Sequence, residues 1–223
     1  MFALTLAGCA GDDEEKTAPQ PPPPPAVAGT CTDVPRPKPK RSGGIVTPTG
    51  SLNPFKDYRV VFETNCGSFT VELDLQAQSR TVLSFFRLAK RGYFDDTVVH
   101  RIVKDLLFQG GDPSATGQGG PGYSTVDAPP PNTRYTKGIV AMAKKTEDDP
   151  GTAGSQFFVV TARDAELEPD FAVVGRVTKG LDALERIGRQ PTTEDEHGDP
   201  IPSKNPVVIE KARAICTPKG DGC

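Results

Sequence analysis

The sequence is poor in the features that several large protein classes require. No apolar run approaches the ~18 residues of a membrane-spanning helix. The 26 basic and 29 acidic side chains leave a net charge of −3, so the chain lacks the positive excess with which proteins bind nucleic acid broadly. It has no tryptophan and only two histidines, and neither histidine stands at zinc-like spacing to a cysteine. These deficits disfavour a channel, a nucleic-acid-binding protein and a zinc enzyme.

Two common active-site motifs are also missing or incomplete. No G-x-S-x-G nucleophile motif occurs. Residues 117–122 match G-x-G-x-x-G, but Pro121 interrupts the motif and polar loop sequence follows it. A dinucleotide site needs a strand before this motif and a helix after it. We therefore predict a surface loop here, and no cofactor for the chain.

Proline and glycine are abundant, at 23 residues each, while hydrophobic residues make up only 35%. That share lies below the ~45–50% of average globular domains, which indicates that part of the chain does not fold. Five consecutive prolines at 21–25 and the basic, proline-rich residues 35–41 favour an extended chain. The sequence predicts a signal segment at 1–9, a disordered tether at 10–56, a folded domain at 57–216 and a tail at 217–223. The basic part of the tether is either a solvated spacer or a contact for anionic lipid headgroups.

The first nine residues, MFALTLAGC, end in Leu-Ala-Gly-Cys. This ending resembles the lipobox of bacterial lipoprotein signal peptides, which implies acylation of Cys9. The segment has no cationic region before its apolar run, so it is either a truncated lipoprotein signal or an ordinary apolar N-terminus. The first interpretation predicts an extracytoplasmic protein anchored to the cell membrane by lipid, or secreted if the signal is cleaved elsewhere.

The cysteines fit an exported protein, because disulfides persist outside the cytoplasm. If Cys9 carries lipid, Cys31, Cys66, Cys216 and Cys223 form an even set of four with three alternative pairings. Cys31 and Cys216 flank the predicted folded domain, so a disulfide between them is an attractive expectation. The sequence leaves the pairing open.

The folded domain is rich in short strands. Residues 58–64 and 69–74 alternate apolar and polar side chains around a turn, which predicts a β-hairpin with one buried face. Residues 81–91 carry a helical apolar stripe that ends at Gly92. A second helix is indicated by Leu181, Leu184 and Ile187 and ends at Gly188. Two helices among about eight short strands, without regular β-α alternation, predict a barrel or a sandwich.

Three motifs follow one another in this domain: HRI at 100–102, QGGDP at 109–113 and GSQFF at 154–158. In this order they resemble the cyclophilin family of peptidyl-prolyl cis/trans isomerases, over about residues 58–215. The resemblance implies a mainly β fold, a closed eight-stranded antiparallel barrel capped by two α-helices. It also implies an isomerase of X-Pro peptide bonds that acts on proline-containing polypeptides and needs no cofactor.

The resemblance assigns catalytic roles to Arg101, Gln109 and Phe158. Rotation about an X-Pro amide is opposed by ~18–20 kcal/mol because resonance stiffens the C–N bond. The Arg101 guanidinium would donate a hydrogen bond to the imide nitrogen once twisting has removed its conjugation. Gln109 would hold the substrate backbone, and Phe158 would wall the proline pocket. The implied substrate-binding residues are His100, Leu106, Leu107, Ala143, Lys144, Gln156, Leu167 and Phe171.

Two positions depart from the family pattern. Leu106 stands where the family usually has phenylalanine, and Lys144 stands where asparagine is common. These differences keep an alternative open, namely a catalytically weak peptide-binding module or holdase chaperone tethered at the membrane. The leading prediction is a monomeric, membrane-tethered isomerase of exported proteins that binds no nucleic acid and no metal.

Overall fold

A computed structural model describes residues 30–76, 79–195, 198–202 and 205–218, with the side chain of Ser79 excepted. Two helices are formed, α1 (Ser79–Lys90) and α2 (Leu181–Gly188). The strands are β1 (Lys56–Thr64), β2 (Gly67–Leu73), β3 (Thr97–Val98), β4 (Arg101–Val103), β5 (Leu107–Gly110), β6 (Thr125–Val126), β7 (Ile139–Met142), β8 (Thr152–Ala153), β9 (Phe157–Val160), β10 (Val173–Lys179), β11 (Thr192–Glu194), β12 (Pro200–Pro202) and β13 (Val208–Pro218). No helix among these described ranges is long and apolar enough to span a membrane.

Nine of the strands form one antiparallel sheet in the order β3-β13-β1-β2-β10-β7-β9-β5-β4. Its two edge strands, β3 and β4, belong to one continuous segment, residues 97–103. Within that segment Val99 donates its N–H to the carbonyl of Val207, and His100 donates its N–H to the carbonyl of Gln109. The segment thus pairs with β13 on one side and with β5 on the other, and it joins the two ends of the curled sheet. Counted as one strand, it completes the predicted eight-stranded barrel, and the predicted fold class is confirmed.

The interior of the barrel is an aromatic core. Phe62 stacks on Phe69 at 5.0 Å between ring centroids and lies 5.3 Å from Phe157. Helix α1 adds Phe85, which meets Phe157 edge-on at 5.4 Å. These rings are fully or almost fully buried, because alternate residues of each strand point inward and the apolar stripe of α1 covers one end.

A second, smaller apolar cluster lies apart from the main core. Its buried members are Leu107, Tyr135, Ile139, Ala141, Phe158, Val160 and Ala165. Several of them alternate along β5, β7 and β9 with residues of the main core. They therefore occupy the outer face of these strands. This apolar cluster on the outer face of the barrel is a place where an apolar part of a ligand can bind.

The structure departs from the predicted disordered tether over residues 31–45. Residues 31–45, which we call the strap, have no regular secondary structure but lie along the folded domain. Lys40, Gly43 and Ile45 donate backbone N–H groups to the carbonyls of Pro113, Gly120 and Pro121 at 2.7, 2.7 and 3.0 Å. The sequence carries no sign of these contacts, because a proline-rich chain can bind to a surface through scattered backbone donors that leave no periodic pattern. β1 then begins at Lys56. Residues 1–29, with Cys9 and the first part of the predicted tether, lie outside the described residues.

The expected disulfide between Cys31 and Cys216 is also wrong. Cys31 pairs with Cys66 in the turn between β1 and β2. The strap starts at this turn, where Thr32 donates its N–H to the carbonyl of Asn65 at 2.8 Å. Cys216 is exposed on β13 and unpaired within the described part of the chain, and Cys223 lies outside it. Sequence separation alone could not show that the strap doubles back to the first hairpin.

Candidate active site

The three predicted catalytic residues are neighbours in one row across the barrel. Arg101 of β4 pairs with Gln109 of β5, Gln109 pairs with Phe158 of β9, and Phe158 pairs with Ala141 of β7. Directly paired residues place their side chains on the same face of a sheet. The following residue of β4, Ile102, is completely buried in the main core. The row therefore lies on the outer face of the barrel.

A cavity of about 1010 Å³ opens above this row. Ten of the eleven predicted site residues line it: His100, Arg101, Leu107, Gln109, Ala143, Lys144, Gln156, Phe158, Leu167 and Phe171. The exception is Leu106, which was predicted to bind substrate and does not line the cavity. Leu106 is half-buried against the smaller apolar cluster, and its carbonyl accepts hydrogen bonds from the N–H groups of Thr161 and Ala162. It lies at the turn before β5, outside the lining of the cavity.

The aromatic wall of the cavity consists of Phe158 and Phe171, which pack on the buried ring of Tyr135. Phe158 meets Phe171 edge-on at 5.3 Å, and Tyr135 contacts both rings at 6.1 and 5.9 Å. The Tyr135 hydroxyl donates to the carbonyl of Phe171 at 2.8 Å and accepts from its N–H at 2.9 Å. Tyr135 is fully buried, and burial raises the pKa of its hydroxyl. Tyr135 thus fixes the backbone from which the Phe171 ring projects into the cavity.

Arg101 supplies the positive charge at the rim. Its Nε donates to Asp199 at 3.0 Å, and its side chain remains 34% exposed. Asp199 lies between β11 and β12, the small hairpin beside β4. A guanidinium carries five N–H donors, and this ion pair uses one of them. The other four make no hydrogen bond to another described residue, so they remain donors for a ligand.

A polar wall faces the aromatic one. Gln109 donates its side-chain amide to the oxygen of Gln156 at 2.8 Å. Gln156 in turn donates to the carbonyls of Gly117 and Gly119, each at 2.9 Å. These glycines belong to residues 117–122, which we call the glycine loop. The predicted loop is confirmed, since these residues form no strand or helix and no helix begins directly after them. The two glutamines are therefore oriented by backbone carbonyls.

Buried Asp112 holds the glycine loop in shape. Its carboxylate accepts from the N–H and hydroxyl of Ser114, both at 2.7 Å, and from the N–H of Gly119 at 3.0 Å. Burial acts to raise the pKa of Asp112, but these hydrogen bonds outweigh it and lower the pKa overall. A Cβ atom at Gly119 would lie 1.9 Å from the Asp112 carboxylate. Only glycine fits at that position.

His100 lines the cavity while buried to all but 9% of its surface. Neither of its ring nitrogens has a hydrogen-bond partner among the described residues. Burial lowers the pKa of His100 and outweighs the nearby carboxylate of Asp112, which favours the charged form. The imidazole is accordingly neutral at neutral pH, with donor and acceptor unused.

Lys144, predicted to bind substrate, lines the cavity, but its ammonium faces partners within the protein. Its side chain is only 5% exposed, and its ammonium pairs with Asp170 at 2.8 Å. The same group donates to the carbonyls of Lys145 and Asp148 at 3.2 and 3.0 Å. It also lies 5.9 Å from the centroid of the Phe171 ring. The ammonium is thus occupied within the protein.

Sequence reasoning missed three contributors to the site: Tyr135, Asp199 and Arg36. Arg36 of the strap lines the cavity from outside the predicted domain. None of the three stands in a recognisable motif, so no local signal marked them. Among the described residues, no group of three or more histidine, cysteine, aspartate or glutamate side chains is arranged to hold a metal ion.

Comparisons with known proteins agree with this geometry. Residues 59–214 match the family model described as cyclophilin type peptidyl-prolyl cis-trans isomerase. Peptidyl-prolyl cis-trans isomerase-like 1 of Neurospora crassa is 39% identical over 160 residues, which is 70% of this chain and 93% of that protein. The Bos taurus protein of the same name is 38% identical over 141 residues, covering 61% and 83% of the two chains.

Solved structures show the same likeness. A cyclophilin type peptidyl-prolyl cis-trans isomerase of Cryptosporidium parvum, crystallised in the presence of the dipeptide Ala-Pro, superimposes with a TM-score of 0.60. It is 28% identical, and the match covers 69% of this chain and 96% of that one. On the strength of its motifs, its barrel and these relatives, the chain belongs to the cyclophilin family and is a peptidyl-prolyl cis-trans isomerase.

Proposed function

We propose that the enzyme accelerates X-Pro rotation by stabilising the twisted imide through Arg101, with no covalent intermediate and no proton transfer. The observation that carries this proposal is the row Arg101–Gln109–Phe158, which sets a guanidinium and an apolar wall on one face of the barrel. A proline ring against Phe158 brings its imide nitrogen toward the side on which Arg101 lies. Twisting turns that nitrogen into a hydrogen-bond acceptor, so the guanidinium stabilises the transition state more than the planar ground state.

The other lining residues bind the substrate. Gln109, with its rotamer fixed by Gln156, holds the peptide backbone. Leu107, Leu167 and Phe171 surround the proline ring. Ala143, which directly follows β7, makes a short β-like contact with the peptide. His100 forms part of the cavity wall, with its ring nitrogens buried.

The substrates we propose are exported proteins, and the site of action is the outer side of the cell membrane. Two features support this location. The Leu-Ala-Gly-Cys ending of residues 6–9 suits lipid attachment at Cys9, and the Cys31–Cys66 disulfide suits an oxidising compartment. The segment between Cys9 and the disulfide would then space the enzyme from the membrane surface.

The mechanism is tested by Arg101→Ala and Arg101→Lys in the full chain. NMR exchange spectroscopy on an Ala-Pro peptide gives the rate of catalysed isomerisation, and a shift titration gives the affinity for the same peptide. Loss of one preorganised donor typically costs about 100-fold in rate. We expect that loss for Arg101→Ala. Arg101→Lys keeps the charge but not the planar set of guanidinium donors, so it should lose only part of the rate. The affinity for the peptide should change little in either variant.

The exposed Arg163→Ala is the matched control and retains the full rate. If Arg101→Ala isomerises as fast as the unchanged protein, the arginine mechanism is refuted. If the unchanged protein binds the peptide without turnover, the alternative of a peptide-binding module holds instead. Lys144 and Leu106 motivate that alternative, since neither offers the substrate what the usual family residue does.

The anchor requires a separate experiment. Cells expressing the full chain are fed an alkyne fatty acid, and the label on the protein is compared with that on Cys9→Ser. We expect the label on the unchanged protein and none on the variant. Label that survives the change contradicts attachment at Cys9.

A further inference from the structure

The strap lies outside the part of the chain that matches the family model, residues 59–214, yet it reaches the active site. Arg36 lines the cavity, and Ser42 and Gly43 touch the glycine loop. We propose that the strap is a positioning element of the isomerase, which holds the glycine loop so that Gln156 and Gln109 present a preformed groove to the peptide. This inference rests on the proposed function, because it concerns how the same groove binds its substrate.

The first step is the grip of the strap on the glycine loop. The Ser42 hydroxyl donates to the carbonyl of Gly120 at 3.0 Å and accepts from its N–H at 2.9 Å. Gly43 donates its N–H to the same carbonyl at 2.7 Å, and Ile45 donates to the carbonyl of Pro121 at 3.0 Å. Gly122 packs so closely on Gly43 and Gly44 that an added Cβ would lie 3.0 Å from the backbone of Gly44. One side of the loop is thus covered by the strap.

The second step connects the loop to the substrate groove. The loop directs two carbonyls, of Gly117 and Gly119, at one side-chain amide group, that of Gln156. Gln156 then receives the amide of Gln109, the residue we place against the peptide backbone. Buried Asp112 holds the loop from inside the domain, whereas the strap holds it from outside. A loop released on its outer side would leave Gln156 with less well placed acceptors.

The third step is how the strap stays in place. It has no strand or helix of its own, so no regular hydrogen-bond ladder offsets the entropy lost when it is ordered. The Cys31–Cys66 disulfide attaches one end of it covalently to the first hairpin. Asn65 strengthens this end by donating its side-chain amide to the carbonyl of Thr32 at 2.7 Å. The covalent link keeps the strap near the glycine loop at high effective concentration.

The expected signature is a change in peptide binding. The strap contacts neither Arg101 nor Phe158 through any described hydrogen bond, so the barrier crossing itself should be little affected. A looser groove binds the planar peptide and the twisted peptide more weakly by the same factor, which raises KM and leaves kcat unchanged. The strap accordingly acts on substrate affinity.

The test compares Ser42→Ala, Ser42→Thr and Ser51→Ala in the full chain. Ser51→Ala is the matched control, an exposed serine outside the strap. Loss of the paired hydrogen bonds of Ser42 should raise KM for an Ala-Pro peptide about three- to tenfold, the usual size for such a loss. The side-chain amide signals of Gln156 and Gln109 should shift in the NMR spectrum. Ser42→Thr, which keeps the hydroxyl, should restore both readouts.

Cys31→Ser supplies a second, independent perturbation, because it frees the end of the strap without touching the glycine loop. We expect the same rise in KM and the same shifted glutamine signals. The proposal is overturned if both variants leave KM unchanged, and equally if the glutamine signals move while KM does not. Peptide affinity from a shift titration replaces KM if the protein proves to bind without turnover, so failure of the proposed mechanism and failure of the strap proposal remain distinguishable.

Discussion

The ion pair between Lys144 and Asp170 allows a sharp stability prediction, because its two members differ in exposure. The Lys144 side chain is 5% exposed and that of Asp170 is 33% exposed. Removal of Asp170 therefore leaves a buried ammonium with only two carbonyl acceptors. Removal of the Lys144 ammonium leaves a carboxylate that water can reach. The two changes should have unequal costs although they break the same contact.

The magnitudes follow from these exposures. Truncation of one member of a fully buried pair costs about 3–5 kcal/mol, and partial exposure of this pair reduces the figure to about 2–3 kcal/mol for Asp170→Ala. Lys144→Met keeps an apolar stem beside Phe171 and loses bonds to a hydrated partner, so we expect about 1 kcal/mol. The double variant should cost less than the sum, because no unpaired charge is then left behind.

The assay is urea unfolding at pH 7 of the unchanged protein, the two single variants and the double variant. The dependence of the unfolding free energy on urea concentration should be the same for all four. Lys145→Met is the matched control, an exposed neighbour whose change should alter the free energy of unfolding by less than about 0.5 kcal/mol. The reasoning is refuted if Lys144→Met destabilises the protein as much as Asp170→Ala, or if the two costs simply add. Because Lys144 lies over Phe171, Lys144→Met should also raise KM for a proline peptide.

Three further predictions concern the cavity. Gly119→Ala should destabilise the protein by about 2 kcal/mol or more, because its Cβ would meet the Asp112 carboxylate at 1.9 Å. The control Gly120→Ala, with no atom within 4 Å of its Cβ, should be nearly neutral. Equal shifts of the two variants in thermal unfolding would contradict this prediction. The free energy of unfolding should be constant from about pH 7 to 9 and fall below about pH 6.5, because the lowered pKa of His100 makes the unfolded chain bind the proton first. The folded enzyme keeps His100 neutral to lower pH, so kcat/KM should begin to fall at a lower pH than stability does. If a His100→Gln variant loses stability in acid to the same extent, the decline belongs to another group. Tyr135→Phe removes the hydroxyl that bridges the backbone N–H and carbonyl of Phe171. It should lower the free energy of unfolding by about 1–2 kcal/mol and raise KM. An unchanged free energy of unfolding and an unchanged KM would show that Phe171 is held without this bridge.

Much of the fold followed from local pattern. The strict alternation of 69–74 and the helical stripe of 81–91 agree with β2 and α1 to within about two residues. The catalytic motifs could also be recognised from local sequence, because HRI, QGGDP and GSQFF each lie within or beside one strand. Their order along the chain matched the cyclophilin family, and the barrel was predicted from that resemblance.

Other features were decided by contacts between distant parts of the chain. The strap resembled a free tether because its proline and charge content predicts disorder, yet it is bound by backbone donors that composition does not encode. The cysteine pairing could not be chosen from three alternatives. Lys144 had the position of a substrate contact, but a partner 26 residues further on, Asp170, takes its charge.

The sequence by itself determined which residues alternate, where the helices lie and which side chains carry the chemistry, because these depend on neighbours within one or two turns of chain. Only the tertiary structure decided that Arg101, Gln109 and Phe158 share one outward row, since the register between strands is set by hydrogen bonds among segments far apart in sequence. It also decided which polar groups remain available for a peptide. A hydrogen bond depends on position and angle, and those become defined when the barrel closes.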